Sequence, residues 1–417
     1  MKFKVNAEAF QNAISPVCLV AEKGVVKDYP SSFKITLTVS GDKMTAVADG
    51  GAITAQTLID ASWLGVIFER DGEVTVNSTD FQQTINSFHN SDELIFELSQ
   101  PSDPSHGKEL IIRKADSPDE FQSVPVFNEL CSFAELSVSN KDPKIQIKRN
   151  VFASYANKIV FAHGFQMSMK SLTYWVLRAT KNGTLRFVAG DGQRFAVADI
   201  EGKDILSVSE DVNILFPNEQ TPALISVLNK VNCENIEISS NKKSLAVKCG
   251  NTIINFYNCD PSITWYDENR FLNRESQFKC VTKIGSWKGA VKGLLATNNE
   301  EAKKQNHPHF CHLSFDASNK LINSKSDSSM KSSRKISIED CTGQSNESLA
   351  IKCASLYINE AFSKGTEEDR VQIEIDDPTK PIVIRYYAGD KVSDPSLMTK
   401  NNNSVTEKFA VFFATNK

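Results

Sequence analysis

One strand-then-helix pattern returns six times along this chain at almost constant spacing, and that recurrence limits the possible folds more than any single motif does. It reads "KFKVNAEAFQNAI" (Lys2–Ile14), "VTVNSTDFQQTINSF" (Val74–Phe88), "KIQIKRNVFASYANKI" (Lys144–Ile159), "VNILFPNEQTPALISVLNKV" (Val212–Val231), "FKCVTKIGSWKGAVKGLL" (Phe278–Leu295) and "LAIKCASLYINEAF" (Leu349–Phe362). With strand starts at Phe3, Val74, Ile145, Val212, Phe278 and Leu349, the intervals are 71, 71, 67, 66 and 71 residues. An apolar helix anchor stands seven residues after the start at Phe10, Phe81, Phe152 and Leu356. In the fourth and fifth units the anchors, Leu224 and Trp287, come later. Trp287, Val291, Leu294 and Leu295 line one helical stripe, with Lys288 and Lys292 displaced from it.

Alternating β-rich segments such as "FKITLTV", "LIFEL", "VQIEI" and "IVIRYY" separate the helices. One helix with a few strands cannot cover its own apolar stripe, so units must pair, two to a domain. The expected architecture is α+β, with three similar domains at residues 1–130, 131–273 and 274–417, each with two helices packed against antiparallel sheets. A length of 417 residues suits several cores better than one. Boundaries are expected in the polar stretches Ala115–Leu130 and Asp267–Gln277, and flexible inserts at Gln100–Gly107, Ala296–Pro308 and Asp394–Thr406. The turn chemistry repeats as well. Asp49-Gly50 and Asp191-Gly192 each stand 46 residues after a strand start, and Asp327 occupies a looser version 49 residues after Phe278.

No apolar run spans a membrane and no leader precedes the first strand, so a cytoplasmic protein is expected. The nine cysteines are scattered and never form C-x-x-C, which points to reduced thiols. A net charge of -4 conceals a lopsided distribution. Lys144 to Gly190 holds eight bases and no acid, and Lys279 to Asn299 holds four lysines and no acid. Either these are ordinary solvated faces, or together they form a basic surface that neutralises phosphates.

Catalytic signatures are absent. There is no Walker loop, and Gly190-Asp191-Gly192 is followed by a strand where a dinucleotide fingerprint needs a helix. A hairpin corner explains it better, Gly supplying positive φ and Asp bonding its own backbone. His307, His309, Cys311 and His312 crowd one strand and cannot converge on an ion, so no metal and no cofactor are expected. The other histidines have no motif around them, and Asp376-Asp377 belongs to a turn. The apolar end "EKFAVFFATNK" reads either as a buried last strand or as the border of a peptide groove.

Taken with the "MKFKV" start and the threefold duplication, "LRFVAGDGQRFAVAD" (Leu185–Asp199) resembles the L-R-x-V-A-T-D-G-H-R-L-A-V stretch of the bacterial DNA polymerase III β subunit, the sliding clamp. The resemblance covers essentially the whole chain. It implies a non-enzymatic half ring that closes head to tail as a homodimer around duplex DNA without base readout, and so keeps the replicative polymerase on its template. The channel would present Lys148, Arg149, Lys158, Lys283, Lys288 and Lys292. A groove for peptides of the polymerase, the clamp loader and repair partners would include Gly190, Gly192, Gln193, Arg194, Phe195, Thr264, Val411, Phe412, Phe413 and Ala414. The family's threonine before the Asp is here Gly190, its histidine is Gln193, its F-P-D-Y is Ile263-Thr264-Trp265-Tyr266 and its tail proline is Ala414. These departures imply an altered peptide preference.

Two competing readings stand beside it: a clamp-fold interaction scaffold that does not close on DNA, and an enzyme with a phosphate site at Asp191–Arg194. Ring closure would need open edge strands, expected at "KELIIRK" (Lys108–Lys114) in the first domain and, as the resemblance implies, in the region after the Trp287 helix in the third.

Overall fold

A computed structural model of the protein describes residues 1–24, 29, 31–99, 107–133, 142–165, 169–241, 244–257, 263–272, 274–296, 310–326, 332–343, 349–363, 365–377, 380–387 and 407–413. Most of the three expected inserts, and Asp327, His307 and His309, fall outside these residues. The chain divides into two compact units. The first comprises Met1–Asn157, Arg178–Thr184 and Glu201–Ile263; the second comprises Lys158–Leu177, Leu185–Ile200 and Thr264–Lys417.

All six repeats form. Strands Lys2–Asn6, Gly72–Asn77, Lys144–Lys148, Val212–Pro217, Phe278–Lys283 and Ala350–Ala354 lead into helices Ala7–Lys23, Ser78–Asn86, Arg149–Ile159, Thr221–Lys230, Ile284–Ala296 and Ser355–Phe362. Asparagine makes the first two changes abrupt. Asn6 Oδ1 accepts from the Ala9 N–H at 3.1 Å, and Asn77 Oδ1 accepts from Thr79 and Asp80 at 2.9 and 3.1 Å, so donors orphaned at the helix start are satisfied at once.

In the first unit a single antiparallel sheet of fourteen strands runs from Ile205–Val208 at one edge to Ile67–Arg70 at the other. Its middle is joined by strand Ile53–Asp60 pairing with Thr252–Phe256, with the Thr57 and Thr252 hydroxyls 2.8 Å apart. Helix Ala7–Lys23 packs Phe10 among Phe3, Phe81 and Phe96, the Phe3 and Phe96 rings lying stacked at 4.6 Å. Each of these buried rings contributes roughly 2–3 kcal/mol.

In the second unit strands Thr184–Gly190, Arg194–Glu201, Glu407–Phe413, Ile382–Tyr387, Arg370–Ile375, Phe278–Lys283 and Asp340–Gly343 follow one another in one sheet. A second sheet orders Ser333–Ser337, Leu321–Ser326, Phe310–Asp316 and Ala350–Ala354. Trp287 and Phe362 stack at 4.2 Å beneath the two helices.

Five expected anchors, Phe10, Phe81, Phe152, Leu224 and Trp287, are fully buried. Leu356 is 50% exposed, and the last helix buries Ile358, Ala361 and Phe362 instead. Each residue turns a helix by about 100°, so an anchor two positions later reverses which face is inside.

The expected edge at Lys108–Lys114 is also corrected. Strand Glu109–Lys114 is interior, with Leu110 opposite both Leu98 and Val124. The boundary stretch Ala115–Leu130 supplies strand Phe121–Phe127, of which only Val126 and Phe127 pair on the far side among the described residues. Among the described residues, Phe121–Pro125 is therefore paired on one side alone. Alternating apolar residues in the sequence do not say whether a strand is paired on one side or both, whereas Pro125 and the acids before Phe121 are edge features.

Candidate partner groove and basic helices

The corner between Thr184–Gly190 and Arg194–Glu201 is closed by Asp191, whose Oδ1 accepts from the Gln193 and Arg194 N–H groups, both at 2.9 Å. Gly192 has φ +89, where any side chain would be strained. This is the hairpin corner expected from the turn chemistry. Its carboxylate occupies the donors a phosphate would need, so the corner is no anion cradle.

At Gly190 a Cβ would stand 2.5 Å from Phe195 Cδ1, so the Phe195 ring fills the space above Gly190. The small residue at 190 and the large one at 195 are one exchange of volume. Tyr266, 43% exposed, meets the Phe195 ring edge-on at 6.4 Å, with Trp265 buried behind it and Thr264 exposed.

Arg194 is 14% exposed. Its Nε donates to Asp191 Oδ2 at 2.7 Å, its Nη1 is ion-paired with Glu360, and its guanidinium lies 4.9 Å from the Tyr357 ring centroid and 5.8 Å from that of Phe161. Tyr357 donates its hydroxyl to Gln193 Oε1. Burial and the nearby Asp191 push the Tyr357 phenol up, so it stays protonated as a donor. Helix Ser355–Phe362 thus braces the corner through two side chains.

The segment carrying Tyr266 is itself anchored. Arg186 donates to both Asp199 oxygens at 2.8 and 2.7 Å and to Asn269 Oδ1 at 2.9 Å, beside the buried Glu268, while Arg385 donates to the Leu272 carbonyl. Around the corner, Leu172 lies 3.3 Å from where a Cβ on Gly192 would be, and Phe165 and Met169 are exposed. Strand Glu407–Phe413 pairs with the corner's outgoing strand in the register Arg194–Phe413, Phe195–Phe412 and Ala196–Val411.

The fold thus brings Gly190, Gly192, Gln193, Arg194 and Phe195 together with the backbone of Val411, Phe412 and Phe413; Ala414 lies outside the described residues. Sequence reasoning missed Phe161, Tyr357 and Glu360. The readable signal was Tyr357 and Glu360, three residues apart in the otherwise apolar "SLYINEAF", where a helix places them on one face.

The six residues expected in a basic channel differ in what holds them. Arg149 donates to the Cys233 carbonyl at 2.8 Å and to the Leu228 carbonyl at the end of helix Thr221–Lys230. Lys148 pairs with Asp204 at 2.9 Å, Lys283 with Glu368 at 3.2 Å and Lys288 with Glu367 at 2.8 Å. The last two pairs are exposed and worth less than about 1 kcal/mol, so an incoming phosphate can compete for the lysines. Lys158 is half-buried and Lys292 exposed. Among the described residues no cluster of three or more His, Cys, Asp or Glu could hold a metal ion, and no helix is long and apolar enough to cross a membrane.

No family model matches the chain, and no curated protein matches it. Solved structures do. The DNA polymerase sliding clamp from Bacillus subtilis superposes with a TM-score of 0.78 at 15% identity, covering 100% of this chain and 99% of that one. The β subunit from DNA polymerase of Streptococcus pyogenes (TM-score 0.77, 16% identity) and the DNA polymerase III subunit β from Pseudomonas aeruginosa (TM-score 0.76, 17% identity) each match over 100% of both chains. From end to end, this chain has the fold of the DNA polymerase III β sliding clamps.

Proposed function

We propose that this protein is a DNA sliding clamp, a non-enzymatic processivity factor that encircles duplex DNA as a homodimer and tethers a replicative polymerase. The observation that carries the proposal is the clamp fold over the whole chain, with six strand–helix repeats and the groove corner at the matching motif. Each copy would contribute three duplicated modules, residues 1–130, 131–273 and 274–417. Lys158, Lys288 and Lys292 would face phosphates, with Lys148, Arg149 and Lys283 nearby. Weak, water-separated charge contacts hold DNA loosely, so encirclement does the retaining and the ring can slide. The groove around Arg194 and Phe195, bordered by the last strand, would take apolar peptides from polymerase and clamp loader.

Ring closure would use strand addition between two copies. Phe121–Pro125, paired on one side alone among the described residues, follows Asp116, Asp119 and Glu120, and the edge strand Ser333–Ser337 exposes Arg334 and Lys335, so opposite charges would set the head-to-tail register.

Light scattering should give a species of twice the chain mass, and K158E/K288E/K292E should lose retention on nicked circular DNA. A strict monomer at micromolar concentration, or unchanged retention, would refute the ring. The scaffold reading has one observation in its favour, the engagement of Arg149 and Lys148 by protein groups; it predicts peptide binding with no DNA retention at all.

A further inference from the structure

Although scattered in sequence, six of the eight described cysteines fall into three pairs. Cys280 lies opposite Cys341 across two strands, Cys311 Sγ is 3.7 Å from Cys353 Sγ, and Cys233 lies against Gly250, the residue after Cys249. All are free thiols. The pairs differ in access. Cys280, Cys311 and Cys353 are fully buried, and burial and Asp340 push the half-exposed Cys341 thiol up. Cys233 is half-exposed, with the Arg149 guanidinium donating to its carbonyl at 2.8 Å.

Backbone geometry holds Cys233 against Cys249. Strand Asn235–Ser240 pairs with Leu245–Cys249 in the register Glu237–Lys248, which brings the residues before Asn235 alongside the turn after Cys249. A Cβ placed on Gly250 would lie 3.6 Å from Cys233 Cβ. A cavity of about 450 Å³, lined by Cys249, Gly250, Asn232, Lys230 and Asn12 among others, opens beside Cys249, and the half-exposed Cys233 is open to a small reagent from solvent. The hydrogen bond from Cys249 and the charge of Arg149 bring the Cys233 thiol down to about 7 against the cost of burial, while Cys249 is pushed well up. One sulfur is therefore the nucleophile and the other its protonated neighbour.

We infer that Cys233 and Cys249 form a redox-active dithiol that closes into a disulfide when Cys233 meets a hydroperoxide. The Cys233 thiolate attacks one peroxide oxygen, the O–O bond breaks, and the other oxygen leaves and takes up a proton as alcohol or water; Cys233 becomes the sulfenic acid. Cys249 sulfur then attacks Cys233 sulfur, and the departing hydroxide takes the Cys249 proton as water. Two thiols lose two electrons and one peroxide gains them. The bond would fasten the connection after helix Thr221–Lys230 to the Cys249–Thr252 turn.

The test treats the full-length protein with hydrogen peroxide, alkylates the remaining thiols, and maps it with trypsin and chymotrypsin, which cut between Cys249 and Cys259 at Phe256 or Tyr257. The expected product is a peptide containing Cys233 joined to one containing Cys249, lighter by two hydrogens and released by dithiothreitol, with Cys280, Cys311 and Cys353 unlinked. In C249S, dimedone should trap the Cys233 sulfenic acid and no link should form. Cys233 carried to the sulfinic acid with Cys249 still alkylatable, or a first link elsewhere, would overturn the assignment.

Discussion

Replacing Arg194 with Met removes the one cation that Asp191 and Glu360 share, and the geometry sets the size of the effect. The Asp191 and Glu360 side chains are 17% and 24% exposed, so both carboxylates would be left partly desolvated and facing each other. Breaking a buried pair from one side costs about 3–5 kcal/mol, and the residual exposure here reduces that to about 2. Losing the guanidinium beside Tyr357 adds roughly 0.5–1 kcal/mol. We expect R194M to lose about 3 kcal/mol, a fall of roughly 6–12 °C in the melting temperature of a unit this size. E360Q in the same background should recover at least about 1 kcal/mol, because only one carboxylate then lacks its partner. Calorimetry on R194M, E360Q and the double variant closes the cycle. An R194M protein within about 0.5 kcal/mol of the parent, or a strictly additive double variant, would show that helix Ser355–Phe362 does not brace the corner through this pair.

Four further outcomes follow from the same structure. G190A should destabilise by about 1–3 kcal/mol, since its Cβ would stand 2.5 Å from the Phe195 ring, and F195L should restore most of it; denaturant melts of the three variants check this. R149M should lose about 2 kcal/mol because two carbonyls, Leu228 and Cys233, lose a charged donor, whereas K292E should leave the melting temperature unchanged and act only on DNA retention. R186M should loosen the Tyr266 segment, seen as faster proteolysis at Arg270 or Arg274 and weaker binding of an apolar partner peptide. Titration calorimetry with that peptide should find one site per chain, and two would contradict the asymmetry between the two corners developed below.

The repeats made the fold legible because each one states both halves of a supersecondary unit, a short alternating strand and an amphipathic helix, six times over. Helix phase was less legible. Leu356 matched the spacing of Phe10 and Phe81 yet sits exposed, since a stripe of Leu, Ile, Ala and Phe in "SLYINEAF" allows more than one buried face. Strand position was less legible still, because the alternation in "ELIIRK" does not say whether Glu109–Lys114 is paired on one side or on both. In the site, the corner could be read from Asp191 and Gly192, whose roles are local, and its partners could not. Glu360 lies 166 residues beyond Arg194, and nothing in one sequence announces that pairing. The acid-free runs misled in part for a related reason, since Asp204, Glu367 and Glu368 reach Lys148, Lys288 and Lys283 from outside the runs.

The two Asp-Gly corners of the chain have similar turns and different surroundings. At Asp49–Gly51 the turn is similar to that at Asp191–Gly192, with the left-handed glycine one position later: the Asp49 Oδ1 accepts from the Gly51 N–H at 2.9 Å, and Gly51 has φ +88. Its surroundings are closed. The Gly24 carbonyl at the end of helix Ala7–Lys23 would be 2.5 Å from a Cβ on Gly50, the Tyr29 ring lies 3.1 Å from one on Gly51, and Tyr29 and Ser132 both donate to Asp49 Oδ2. Ile53, on the outgoing strand, is fully buried. At the second corner the outgoing strand instead begins with Arg194 and the half-exposed Phe195, and exposed Tyr266 edges onto the ring. One turn is sealed into a core by a helix end and a tyrosine; the other is braced by an ion pair that leaves an aromatic surface open. The two corners are similar turns, and their neighbours, through glycine contacts and a single arginine, leave an aromatic surface exposed at the second and not at the first.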